Sequence, residues 1–317
     1  MRGWHLSLQQ AQRLEHILVA HPNDLSLRTE LLGYYFQNYF ISPETREARA
    51  RHIFWIITNR PDAMIAGLPE ASFDPHFNLN AYSKAKQLWQ EQVAKHPTNA
   101  DVLGNAADFL LFGNDNTAKE LLRRAAVLEP NNPRRLDSLG FFCVLHLQDS
   151  EGDAHVKMAQ EALGYYEKAL ILSHGVDISR TILSSAAEAA FEAGDYAKAQ
   201  TFAIRMLSAG AHRNRKGCGD ELHHGNIMLG RLALHVGDVA QAKAYLLKAG
   251  EVPTSAVLSS FGPNMELAKE LLDIGEEQTV LKYFDLCAKF WKSNQLTEWR
   301  SEVEQGFIPD FVGQLNI

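Results

Sequence analysis

Residues 99–130 read NADVLGNAADFLLFGNDNTAKELLRRAAVLEP. Two helices are legible in this stretch. Asn105-Ala106, followed three residues on by Phe109, marks one helix over 99–112. Ala118, Leu122 and Ala125 set a small–large–small series on one face of a second, over 116–128. Spacings of three and four keep residues on a single helical face, so each segment has one side to bury. Pro130 closes the unit, where a helix cannot readily continue.

Both half-motifs recur. The first returns as Leu32-Gly33…Phe36, Leu139-Gly140…Cys143 and Leu229-Gly230…Ala233. The second returns as Ala162/Tyr166/Ala169, Ala199/Ala203/Met206 and Ala242/Leu246/Ala249, with a degenerate copy at Val280/Phe284/Cys287. A glycine inside a helix costs about 1 kcal/mol relative to alanine. That cost is intelligible where two helices cross closely, which predicts a small facing surface built from Ala118, Ala162, Ala199 and Ala242. Gly194-Asp195 and Gly237-Asp238 read as ends of first helices, where glycine accepts the left-handed conformation.

These residues and spacings resemble the tetratricopeptide repeat: Leu-Gly and an aromatic on the first helix, a small–large–small series on the second, and a closing proline. The resemblance spans roughly residues 7–292. The family's tryptophan at the start of the first helix is missing from every copy. The resemblance implies an all-α, right-handed α-solenoid of antiparallel helix pairs. The small residue recurs after 44, 37 and 43 positions, against a family period of about 34. The excess predicts insertions near 148–155 and 211–219. A third irregular stretch, 60–77, holds Pro61, Pro69 and Pro75 and has no helical period; such loops are often functional or merely mobile.

The expected helices run over 7–20, 25–40, 44–58, 80–95, 99–112, 116–128, 133–147, 155–172, 178–193, 196–208, 220–236, 239–249, 264–274, 277–291 and 295–305. No linker divides the chain, which reads as one domain over 1–317: irregular N-terminal pairs at 7–95, more regular repeats at 99–291 and a cap at 292–317. Phe307, Ile308, Phe311, Val312 and Leu315 suggest a tail folded onto the last helices, as terminal repeats need their outer face covered.

The 317 residues are 46% hydrophobic and 22% charged, with a formal net charge of -7. This is ordinary globular composition. The negative balance argues against nucleic acid, which needs a basic surface to neutralise phosphates. Cys143 and Cys287 sit in apolar helical patterns, and Cys218 sits in a polar loop. Three cysteines give no disulfide framework and suit a reducing compartment. Met1 to His5 lack a signal-peptide apolar core, and no apolar run reaches the roughly 18 residues of a spanning helix. The expectation is a cytoplasmic protein with no membrane partner.

In the family, first helices line the concave side. Projected onto that pattern, the groove receives Glu30, Tyr34, Asp137, Ser138, Phe141, Ser184, Glu188, His224, Met228, Arg231 and Met265. Such a mixed surface suits an extended peptide or a helix. The candidate partner-binding set is Tyr34, Asp137, Phe141, Glu188, His224, Met228, Arg231 and Met265; packing between helices is the competing reading at each position. Glu30, Asp137 and Glu188 would oppose an acidic tail.

The most polar stretch is His212 to His224. Arg213, Arg215 and Lys216 precede a helix start, where an anion or a partner can dock, although no Gly-Lys-Ser/Thr phosphate loop is present. Cys218, Asp220 and His224 are weak metal candidates: Asp220 and His224 share a helical face, but His223 and His224 diverge by roughly 100°. A capping Asp220 and surface histidines explain the stretch without a metal. The phrasing at Ser259–Met265, Phe290-Trp291 and Pro309–Phe311 resembles stand-alone bacterial tetratricopeptide proteins and carries no activity with it. The sequence thus points to a scaffold that binds a protein or peptide partner in a groove, with no catalytic set and no cofactor. The alternative is an enzyme or a ligand or metal sensor using a polar cleft around 212–231. Self-association through solenoid edges remains a third reading.

Overall fold

The structure, a computed structural model, describes residues 2–75, 77–111, 117–173, 176–211, 217–311 and 313–315. The described residues are helical or in turns, with no strand. The fold is all-α, of α-solenoid type, with successive helices packed on one another. Backbone contacts divide it into two compact units, Met1–Leu139 and Gly140–Ile317.

The first unit holds α1 (Leu8–Ala20), α2 (Leu25–Gln37), α3 (Pro43–Asn59), α4 (Leu79–Lys95), α5 (Ala100–Leu110), α6 (Thr117–Leu128) and the start of α7 (Pro133–Leu145). From α1 to α6, each helix packs on the next. Their starts are written in side chains: Ser7, Asp24, Ser42, Asn78 and Asn99 each accept a backbone N–H of the first turn. Each such cap contributes about 1 kcal/mol.

The irregular stretch is a packed connection over its described residues, 60–75 and 77. It forms two 3-10 turns, Met64–Gly67 and Pro69–Ala71, whose Ile65, Ala66, Ala71 and Phe73 are buried. Arg49 of α3 donates from one nitrogen to the carbonyls of Pro69, Glu70 and Ser72 at 3.2, 2.9 and 2.6 Å. Asn105 of α5 donates to the carbonyls of Pro61 and Ala63 at 2.8 and 3.0 Å. Two buried side chains thus satisfy backbone groups that a helix would have satisfied internally.

The second unit continues α7 and holds α8 (Gly152–Leu172), α9 (Val176–Glu192), α10 (Tyr196–Ala211), α11 (Gly219–His235), α12 (Val239–Gly250), α13 (Ala256–Phe261), α14 (Glu266–Asp273), α15 (Glu277–Cys287) and α16 (Gln295–Glu304). Gly194 and Gly237 have φ of +76° and +80° and end α9 and α11. At the first, Asp195 N–H reaches Ala190 O and Gly194 N–H reaches Phe191 O. The same pair of bonds recurs at Asp238 and Gly237, onto Ala233 and Leu234. This is a Schellman closure. In each case the next aspartate then caps the following helix, Asp195 on Lys198 N–H and Asp238 on Gln241 N–H.

The glycine expectation holds in part. A Cβ at Gly230 would come within 3.4 Å of the Ala242 carbonyl and 2.1 Å of Leu267, so α11 does cross α12 closely at its small residue. A Cβ at Gly140 would lie 2.7 Å from the fully buried ring of Tyr166, the large member of the second-helix series. Gly33 differs: its close neighbour is Gly3, in the 3-10 turn Arg2–His5. A paired test follows. Gly140→Ala destabilises by about 1–3 kcal/mol through overpacking, whereas Gly164→Ala, with no atom within 4 Å of the new methyl, stabilises by about 0.5–1 kcal/mol. Urea denaturation of both variants checks the pair.

The tail caps the last helices, through fewer residues than expected. Phe311 is buried with its ring 5.0 Å from that of Trp299, and Leu315 packs against the same core. Phe307 is 63% exposed and Ile308 is also exposed; Val312 lies outside the described residues. All three cysteines are buried, Cys218 included. No described helix is long and apolar enough to cross a membrane.

Candidate functional site

In the second unit, three first helices meet around one guanidinium. Arg231 on α11 is buried, and its Nη1 donates to both oxygens of Glu188 at 2.7 and 2.8 Å and to Glu266 at 2.8 Å. Its Nε donates to Glu270 at 2.8 Å, and Nη2 donates to Glu192 at 3.2 Å. Glu188 and Glu192 lie four apart on α9, and Glu266 and Glu270 lie four apart on α14, so each pair presents one face toward Arg231. The Phe191 ring lies 4.2 Å from the guanidinium carbon. His155 of α8 closes one side, with Nε2 3.0 Å from Glu192.

The electrostatics divide the carboxylates. Burial, reinforced by neighbouring Glu266, raises the Glu188 carboxyl to about 8 in spite of Arg231. Glu192 is also desolvated, but hydrogen bonds to His155 and Arg231 hold it below the usual range. Burial pulls His155 down; its bonds to Glu192 and the Leu147 carbonyl outweigh that and raise it. Glu188, Glu192, Glu266 and Glu270 thus converge on a single guanidinium.

These groups border a cavity of about 250 Å³. Val144 and Leu147 form an apolar wall, and Leu315 of the tail forms another. His155, Glu192, Arg231, Glu266 and Glu270 supply the polar side. Lys269 also reaches the rim, where its ammonium pairs with Asp273 at 3.0 Å.

The other expected groove residues fall in different surroundings. Phe141 is 44% exposed, whereas Met228 and Met265 are buried. Tyr34 is buried, its ring edge-on to Tyr35. Asp137 is half-buried, and burial raises its carboxyl to about 6. Of the candidate set, Glu188 and Arg231 are in direct contact. Glu192, Glu266, Glu270 and His155 were not anticipated; the trace they leave in the sequence is a pair of carboxylates four apart on each of two first helices.

Arg213, Arg215 and Lys216 lie outside the described residues. Cys218 is buried at the start of α11, and Asp220 accepts the Ser255 hydroxyl. His224 is half-buried, and burial lowers its pKa. No group of three or more His, Cys, Asp or Glu able to hold a metal occurs among the described residues. His223 has a structural task. Asn264 N–H can only donate, so Nε2 of His223, 3.0 Å away, accepts; Nδ1–H then donates to the Ala249 carbonyl at 2.9 Å. The ring is neutral, its pKa pushed down to about 3 by burial and by His224.

No family model matches the chain, and no curated protein matches it. Among solved structures it is similar to PilW, described as a widely conserved type IV pilus biogenesis factor, with 16% identity over 68% of this chain and 88% of that one and a TM-score of 0.45.

Proposed function

We propose that this chain is a protein-interaction scaffold whose second unit takes a basic side chain of an extended partner segment into the Arg231 cavity. The observation that carries the reading is the cavity's composition. Apolar walls at Val144 and Leu147 suit the methylene stem of a lysine or arginine. Glu192 and Glu270, about a quarter to a third exposed, suit its charged end. Leu315 supports the same reading, because the chain already presents an apolar side chain of its own at this cavity. Four carboxylates converge on one guanidinium, with His155 and Lys269 the other basic groups at the cavity, and the formal charge of the whole chain, -7, steers a cation in the same direction.

Fluorescence anisotropy with labelled tetralysine and tetraglutamate peptides tests the reading. Tetralysine binds and tetraglutamate does not. Glu192→Gln with Glu270→Gln weakens tetralysine at least tenfold, and added salt weakens it further because the contact is charged. Equal binding of both peptides, or a double variant as good as wild type, contradicts the reading.

A further inference from the structure

Hydrogen-bond partners fix the protonation of the histidine at the cavity's edge. His155 lies near the start of α8, with Nδ1 3.1 Å from the Leu147 carbonyl and Nε2 3.0 Å from Glu192 Oε2. A carbonyl only accepts, and so does an ionised carboxylate, so both ring nitrogens must carry a proton. Glu192 is held ionised, its carboxyl below the usual range. The ring that fits this geometry is therefore the imidazolium. His223 makes the contrast, because one of its nitrogens faces an N–H and must accept.

Either neutral tautomer of His155 turns a lone pair toward one of its two acceptors, so losing a proton breaks a contact. Both contacts belong to the cavity. Leu147 is part of its apolar wall and opens the 3-10 turn Leu147–Asp149; Glu192 is part of its polar side, on α9. The Leu147 carbonyl also accepts the N–H and the hydroxyl of Ser150, at 3.0 and 2.9 Å. The turn is thus closed without His155, and what the ring adds is the tie from wall to α9. Glu192 gives its other oxygen to Arg231 at 3.2 Å. With His155 in place both of its oxygens are engaged. The other charged groups bordering the cavity are Arg231, Glu266, Lys269 and Glu270. Glu188 of α9 bonds Arg231, and Asp149, Glu151 and Asp153 are exposed neighbours in sequence.

We propose that His155 is a proton-operated clamp on the cavity. Protonated, it ties the Leu147 wall to Glu192 and occupies the carboxylate that a partner's cation would use. Deprotonated, it gives up one of the two contacts and its charge, and Glu192 is left to the ligand. The inference rests on the cavity reading above and adds its regulation. The two bonds raise the ring's pKa above its ordinary 6.5, so the clamp is closed at and below that pH and opens as pH rises through the raised value.

Two measurements on the full-length chain test the clamp. The first is the affinity of acetylated tetralysine for wild type and for His155→Gln at pH 6 and pH 8.5. Lysine, with a pKa of about 10.4, stays charged throughout. Glutamine can still donate to Glu192 but cannot titrate, and Glu188 titrates in both proteins, so their difference belongs to His155. The variant binds more tightly than wild type at pH 6, and wild type gains at least about fivefold more than the variant on going to pH 8.5. The second is long-range proton–nitrogen magnetic resonance of wild type without peptide. Both His155 nitrogens are protonated at pH 6, the ring titrates above 6.5, and the Leu147 methyls move with the same midpoint. A midpoint at or below 6.5, Leu147 methyls that ignore it, or equal pH dependence of wild type and variant overturns the clamp, while tetralysine binding still upholds the cavity reading. No tetralysine binding by either protein at either pH overturns the cavity reading and the clamp's role in it.

Discussion

Arg231→Met lowers the stability of the second unit by about 3–5 kcal/mol at pH 8, because removing one partner strands buried charge. For a unit of this size that is a fall of about 10 °C in Tm. Methionine keeps much of the volume and none of the donors. Glu266 and Glu188, whose side chains are 10% and 14% exposed, then face each other without a cation. Protonation removes the charge that causes the damage, so the deficit shrinks as pH falls through the carboxylate range, and denaturation at pH 8 and pH 4.5 measures this directly. Glu188→Gln makes the complementary case. The folded pKa of Glu188 is raised from 4.5 to about 8, so the stability this group contributes is full below 4.5 and is lost as pH rises toward 8. Glutamine cannot ionise. The variant therefore gains on wild type across that window and levels off above it. A deficit in Arg231→Met that does not depend on pH contradicts the charge account.

His223→Leu has the second-largest effect, about 2–5 kcal/mol. It leaves the Ala249 carbonyl and the Asn264 N–H buried and unpaired, each worth about 1–3 kcal/mol. Asn264 is also the residue whose Oδ1 accepts Glu266 N–H and whose carbonyl accepts the Tyr283 hydroxyl. Loss of His223 thus loosens the start of α14, the helix that carries Glu266 and Glu270. The folded pKa of His223 lies near 3, below its ordinary 6.5, so its contribution is full above 6.5 and is lost as pH falls from 6.5 to 3. The variant lacks that acid-sensitive contribution, and its stability changes less over the window. Urea denaturation at pH 7 and pH 4 reads both parts, and an equal loss at both pH values counts against the neutral, doubly bonded ring.

How much of this was legible follows from the range of the interactions. The helices α5, α6, α11 and α12 are local, and the Leu-Gly and small–large–small spacings mark them. Gly194-Asp195 and Gly237-Asp238 announced a stop and a start within two residues, which is local chemistry as well. The short helix α13 escaped notice because six residues carry no measurable period, although Ser255 caps it on Leu258 N–H. The close neighbour of Gly33 could not be read, since Gly3 meets it from another element, the 3-10 turn Arg2–His5. In the site, Glu188 and Arg231 came out of projecting first helices onto one face. Their meeting with Glu192, Glu266 and Glu270 did not, because it joins residues 35–43 apart through the stacking of three helices. The stretch 60–77 read as an irregular loop; its order comes from Arg49 and Asn105 on other elements.

The central claim is that the Arg231 cavity receives a cationic side chain. Its most direct test is a nuclear magnetic resonance titration of the full-length protein with tetralysine, following the Arg231 Nε–H and the Leu315 methyl groups. Both resonances shift saturably at the same peptide concentration, and both stay still with tetraglutamate. Saturable binding of tetralysine that leaves both resonances unmoved contradicts the account.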